Sequence, residues 1–134
     1  MQVTVPLTKE DFEKYYALRY EVLRKPWNQP LGSERDDADS TSFHAMIKDG
    51  EGRVIAVGRL HLNNSEEAQV RYMAVDEKWR GQKLGALVLA FLEKEASRQG
   101  VKKVVLQARD KALEFYKQNG YSIVEETFLM YDSI

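Results

Sequence analysis

The sequence predicts an α/β fold, a mixed and mostly antiparallel β-sheet with helices on both faces. Three observations predict it. Between Phe43 and Val75 three strand-like runs, FHAMIK, VIAVGRLHL and AQVRYMAV, follow one another across the turn segments DGEGR and NNSEE, which reads as an antiparallel meander. The apolar spacing then becomes helical from Leu84, and the β-branched run VKKVVLQA begins directly after Gly100, so a helix crosses from one strand to a parallel neighbour. Finally, 134 residues have room for one hydrophobic core, so a single domain over 1–134 is expected.

Each element has its own signals. QVTV alternates as a short strand, ended by Pro6. Thr8 is a helix N-cap with Asp11 at the third helical position, and Leu7 and Phe12 stand where a hydrophobic staple would close over the first turn. Phe12, Tyr15, Tyr16, Arg19, Val22 and Leu23 then recur at helical spacing, and the helix runs to about Arg24, before Pro26. Two prolines, a glycine and a cluster of carboxylates make Lys25 to Ser42 a long loop with room for one short helical turn, and loops of this length often bind something. Beyond the meander and its crossover helix, Asp110 caps a helix closed by Gly120, and a last strand-like stretch starts at Tyr121.

Composition removes several functions. Twenty basic residues against twenty-one acidic ones provide no positive field for nucleic acid or anionic lipid. No cysteine is present, which excludes disulfides, thiolate metal sites and a cysteine nucleophile. The N-terminus has no basic head followed by an apolar run, and no segment approaches the ~18 apolar residues of a membrane span, so a cytoplasmic protein is expected. His44 and His61, the only histidines, lack neighbouring metal ligands, and no metal is expected.

The chemistry-bearing stretch is RYMAVDEKWRGQKLGALVLAFLEKEA, where a strand passes through a charged turn into a helix. First-turn amides have no intrahelical partner and the helix dipole adds positive charge there, so this turn suits an anion, phosphate above all. Arg80 and Lys83 add side-chain charge, and Gly81 and Gly85 remove a Cβ from the approach to the backbone. A basic, solvated strand-to-helix turn with a packing glycine is the plain alternative. Neither GxxxxGK[ST] nor a GxGxxG after a first strand is present, which excludes the common nucleotide-hydrolysing and dinucleotide-redox designs.

Val70 to Gly85, with ALEFYKQNGY from Ala112 to Tyr121, resembles the GNAT acyl-CoA-dependent N-acyltransferase superfamily, whose signature is Arg/Gln-x-x-Gly-x-Gly/Ala at the start of the central helix. Arg80 fits its first position and Gly85 its last. Lys83 stands where the middle glycine is usual, and a right-handed backbone is expected there. The order of elements matches the superfamily along nearly the whole chain. YYALRYEVLRKPWNQPLGSERD is similar to the acetyltransferase-like half of bacterial two-part acetyltransferase/thioesterase proteins, although no second domain fits here. In relatives a further strand follows the position of Ile134, so a final strand that is missing, shortened or supplied by a neighbour is expected, and the last alternative allows a homodimer.

The resemblance implies a three-layer fold in which the two parallel strands splay apart around the pantetheine arm of acetyl-CoA. Met73, Ala74 and Val75 would contact that arm through main chain, which is compatible with their also being strand core. Arg80, Gly81, Gln82, Lys83, Leu84, Gly85 and Ala86 would hold the pyrophosphate. Tyr116 matches the family's tyrosine acid; packing of Phe115 and Tyr116 on the sheet is the structural alternative. No general base can be assigned among Glu34, Asp36, Asp37, Asp39, His61, Glu66 and Glu67. If functional rather than solvated, the acidic loop favours a cationic amine. Arg19 is either a partner for a buried carboxylate or a contact for an anionic acceptor, and Trp27 either lines the acceptor pocket or anchors its loop. The expected function is N-acetyl transfer from acetyl-CoA directly to a small amine in a ternary complex, with a non-catalytic acyl-CoA-binding sensor or interaction module as the alternative.

Overall fold

The computed structural model describes residues 1–107, 110–125 and 128–132, with side chains described up to Gln107 and from Ala112 to Ser122. Its strands are β1 (Val3–Thr4), β2 (Phe43–Lys48), β3 (Val54–Leu62), β4 (Glu67–Val75), β5 (Lys103–Gln107), β6 (Ser122–Glu125) and β7 (Phe128–Asp132), and its helices are α1 (Lys9–Leu23), α2 (Leu84–Arg98) and α3 (Asp110–Gln118). The seven strands form one sheet in the order β1-β2-β3-β4-β5-β7-β6. Every pairing is antiparallel except β4 with β5. The expected mixed sheet is therefore borne out. The stretch read as one last strand from Tyr121 is two, β6 and β7, with β7 between β5 and β6; the strand expected beyond Ile134, whether missing, shortened or supplied by a neighbour, lies outside the described residues.

α1 starts where its cap requires: the Asp11 amide donates to Thr8 Oγ1 at 3.0 Å, and Asp11 Oδ2 accepts from the Leu7 amide at 3.2 Å. The staple does not close, because Leu7 is 82% exposed and only Phe12 turns inward. Two apolar clusters sandwich the sheet. Ala45, Ile47, Leu60, Val70, Val88, Leu89 and Leu92 join its α2 side, while Tyr15, Leu18, Met46, Val57 and Ala74 join its α1 side. β3 is buried on both faces from Val54 to Leu60, which is why its sequence is almost continuously apolar. Lys25–Ser42 is a long connection with two 3-10 turns, Lys25–Trp27 and Asp39–Thr41.

Two irregularities in β4 position the site. Its parallel pairing with β5 covers only Glu67↔Lys103 to Gln69↔Val105, and beyond it the strands separate. On its other edge the register with β3 shifts between Val57 and Arg59, so that Tyr72 and Met73 stand opposite Gly58. Tyr72 has φ 58°, a left-handed conformation that costs a non-glycine residue ~1–2 kcal/mol. The bulge inverts the alternation of the strand: Ala68 and Val70 face α2 before it, Met73 and Val75 after it, and Ala74 turns to α1.

Candidate active site

A cavity of about 700 Å³ lies between the end of β4, beyond its pairing with β5, the start of α2 and one face of α3. Its floor is Met73, Ala74 and Val75; one wall is Trp79, Arg80, Gly81, Lys83, Leu84, Gly85 and Ala86; the other is Ala112, Phe115, Tyr116, Gln118 and Asn119. The residues expected to hold a cofactor thus share one cavity, except Gln82, which is exposed outside its lining.

The first turn of α2 is built to leave its amides open. The N-cap, Lys83, makes no side-chain cap hydrogen bond, and no acidic residue lies in the first turn. The first helical bond joins the Leu87 amide to the Lys83 carbonyl at 3.2 Å, so the amides of Leu84, Gly85 and Ala86 precede the helical ladder. Gly81, at φ 83° with nothing within 4 Å of an added Cβ, reverses the chain into this turn. Two expectations are corrected. Gly85 does not clear the way for an anion: an added Cβ would stand 3.3 Å from Phe115 Cζ and 3.7 Å from Val75 Cγ2, so it permits α3 to pack against the turn. Lys83 is not right-handed but has φ 63° and ψ 20°, the conformation that the family's usual glycine adopts without strain.

Tyr116 is buried at the α3 wall, edge-on to Phe115 and Tyr121 at centroid distances of 5.0 and 5.8 Å. Burial pushes its hydroxyl up to about 12, so it is protonated at neutral pH. Packing and cavity lining coexist in this side chain.

The acceptor candidates lie on the α1 side of the sheet, and most are engaged with one another. Arg19 is fully buried and donates to Asp39 Oδ1 at 2.9 Å, the Glu34 carbonyl at 3.0 Å and the Tyr15 hydroxyl at 3.1 Å, which makes it the partner of a buried carboxylate. Asp36 accepts from Arg59 at 2.6 Å and from the Tyr72 hydroxyl at 3.1 Å. Partial burial pushes the Asp36 carboxyl up, but its bonds to Arg59 and Tyr72 outweigh this and hold it at about 2. Glu34 is buried, accepting from the Gly32 amide and from Arg35 Nε. His61 Nδ1 accepts from Arg59 at 3.0 Å, leaving Nε2 to donate to Asn63, so its basic lone pair is occupied. Trp27 is 57% exposed and is not part of the cavity lining. Among the described residues no group of metal-ligating side chains converges, and no helix is long and apolar enough to cross a membrane.

Sequence reasoning missed Arg59, Tyr72 and, apart from Tyr116, the α3 wall as site residues. Arg59 had a signal, as the lone charge inside the apolar run VIAVGRLHL. Ala112, Phe115 and Asn119 recur one helical turn apart beside Tyr116 and were legible by the same spacing. Nothing local marks Tyr72, because a bulge is set by the partner strand.

The family model for the GNAT acetyltransferase family matches residues 7–121. The chain belongs to the GNAT family. Among curated relatives of this GNAT chain is the "Uncharacterized N-acetyltransferase YjcF" of Bacillus subtilis (strain 168), 27% identical over 126 residues that cover 94% of this chain and 89% of the relative. An acyl-CoA N-acyltransferase from Pseudomonas aeruginosa superposes with a TM-score of 0.81 at 22% identity, covering 97% of each chain. An aminoglycoside 6'-N-acetyltransferase complexed with coenzyme A superposes with a TM-score of 0.85 at 13% identity, covering 100% of this chain and 98% of that one. At these identities the two structural likenesses establish the GNAT fold and nothing finer.

Proposed function

We propose that the protein is a cytoplasmic N-acetyltransferase that moves an acetyl group from acetyl-CoA directly to a small amine, both substrates being bound together. The observation that carries this reading is the uncapped first turn of α2, opening onto the cavity at the end of β4 beyond its pairing with β5. The residues fit the co-substrate: three amides outside the helical ladder, a Gly81 turn with open space beside it, and the cations of Arg80 and Lys83 suit a diphosphate. The edge of β4 at Met73–Val75, which has no partner strand on the β5 side among the described residues, supplies main-chain groups for a pantetheine amide. When bound, acetyl-CoA would supply a thioester carbonyl that an amine can attack, the amide C–N bond forming as the C–S bond breaks and the thiolate leaves.

The chain's own contribution is to orient and to move one proton. Tyr116, protonated at neutral pH, holds its hydroxyl proton at the cavity wall for the departing sulfur. The absence of cysteine from the whole chain agrees with direct transfer. Tyr116→Phe should lower turnover by ~10²-fold or more while CoA affinity stays within about twofold. Thiol release against a panel of amines measures the first and calorimetry the second. Turnover unchanged in Tyr116→Phe would remove the tyrosine from the mechanism, and absence of CoA binding would remove the enzyme.

A further inference from the structure

The acidic loop does not present an ammonium site. Of its four carboxylates, Glu34, Asp36 and Asp39 turn inward onto Arg35, Arg59 and Arg19, and only Asp37 is exposed. What this side of the sheet offers instead is donors. Arg19, Arg59 and Arg71 stand over the Tyr72 ring at 4.3, 4.8 and 4.7 Å, and Arg19 Nε and Arg59 Nε are buried with no hydrogen-bond partner among the described residues.

Arg71 is the least committed of them. Its side chain is 48% exposed, and its ion contact among the described residues is a 3.5 Å approach to Asp36 Oδ2, which already accepts from the Tyr72 hydroxyl. Stacking on Tyr72 orients the guanidinium without consuming its N–H fork, the geometry suited to a bidentate carboxylate. Tyr72 holds a strained left-handed backbone to place that ring, and strain of this kind concentrates at functional sites. The position is equally specific. β4 leaves β5 after Gln69 and the cavity begins at Met73; Arg71 and Tyr72 lie between along the strand, ~10 Å from Val75, outside the cavity lining and with their side chains on the α1 face beside Arg19, Arg59 and Asp36. They stand along β4 on the side of Met73 away from the first turn of α2.

We propose that the acceptor is an amino acid-like molecule, carrying a carboxylate beside its amine, and that Arg71 on its Tyr72 platform receives the carboxylate. This inference rests on the acyltransferase reading and names the substrate class of the same site.

The test uses matched pairs: an α-amino acid and the amine left by removing its carboxyl group, such as phenylalanine with phenethylamine and lysine with cadaverine. Each is titrated calorimetrically onto the CoA-saturated protein and assayed with acetyl-CoA. In at least one pair the acid should bind and react tenfold or more better than its partner. Arg71→Gln should erase that preference, and Arg71→Lys should restore part of it, with unchanged melting temperatures showing that both variants are folded. Equal or better use of the carboxylate-free amines, equal losses for both members in Arg71→Gln, or no binding of any acid overturns this proposal. Failure of CoA itself to bind is a different result and sinks the acyltransferase reading.

Discussion

Gly58 and Met73 meet across β3 and β4 so closely that the Met73 sulfur lies 2.5 Å from where a Cβ on Gly58 would stand. The same Cβ would lie 2.8 Å from Val88 Cγ1 and 3.0 Å from Leu92 Cδ1. Gly58 faces the β4 bulge, so the missing side chain makes room for the sulfur of a residue that also floors the cavity. Gly58→Ala should destabilise by ~1–3 kcal/mol, since the flexible Met73 can shift but Val88 in the core cannot, and it should weaken CoA binding by pushing Met73 into the cavity. Urea denaturation and CoA calorimetry measure the two effects. A stability gain of the ~0.4–1 kcal/mol usual for an unstrained glycine-to-alanine change would show that the close approach is not tight.

Lys83 gives a prediction of opposite sign for stability and binding. Its φ of 63° costs ~1–2 kcal/mol in a lysine, and the greater entropy glycine loses on folding offsets ~0.5–1 kcal/mol of that. Lys83→Gly should therefore gain on the order of 0.5–1 kcal/mol of stability while lowering CoA affinity through the lost cation. Denaturation midpoints and CoA titration together check the pair of signs. A variant that loses stability would mean that the lysine makes a compensating contact.

The contrast between these two residues marks what the sequence could convey. The change of apolar spacing at Leu84 and the β-branched run after Gly100 are local patterns, and they were enough to place the crossover helix, the parallel pair and the turn between them. The left-handed Lys83 was read as right-handed, because its motif position says glycine while its residue type says otherwise. The Tyr72 bulge, the pairing of the loop carboxylates with Arg19 and Arg59, and the insertion of β7 beside β5 depend on contacts between segments far apart in the chain. Periodicity has no access to such contacts.

Acid should destabilise the fold in two stages. His44 Nε2 faces the Asp39 carbonyl at 2.8 Å and so carries a proton, while Nδ1 lies 2.8 Å from the Tyr15 hydroxyl, which also faces the Gly58 carbonyl at 2.9 Å. Burial, aided by the Arg19 and Arg59 charges, lowers its pKa below the usual 6.5, and burial and Arg59 do the same for His61. Because the unfolded chain takes up protons first, stability present above pH ~6.5 falls as the pH drops below that value. Asp36, held at about 2 against an ordinary 3.8, contributes stability that is fully present above pH ~4 and lost as the pH falls toward 2. After discounting for solvent screening, that second loss is on the order of 1–2 kcal/mol. Urea midpoints from pH 8 to 2 trace both stages, and Asp36→Asn should shrink the second, which Asp11, Asp39 and Asp49 share because their carboxyls are lowered too. A flat profile between pH 7 and 5 would contradict the neutral, hydrogen-bonded His44.

The open amides of α2's first turn should grip a diphosphate, and Ala86 stands where that grip can be blocked. Ala86 is half-buried at the third helical position and lines the cavity. A glutamate there would satisfy first-turn amides from within and complement the helix dipole by ~0.3–1 kcal/mol. Calorimetric titration of CoA onto wild type and Ala86→Glu should find binding in the first and an affinity at least tenfold lower in the second, with the variant's melting temperature unchanged or raised. CoA binding to Ala86→Glu as tightly as to wild type would contradict the account.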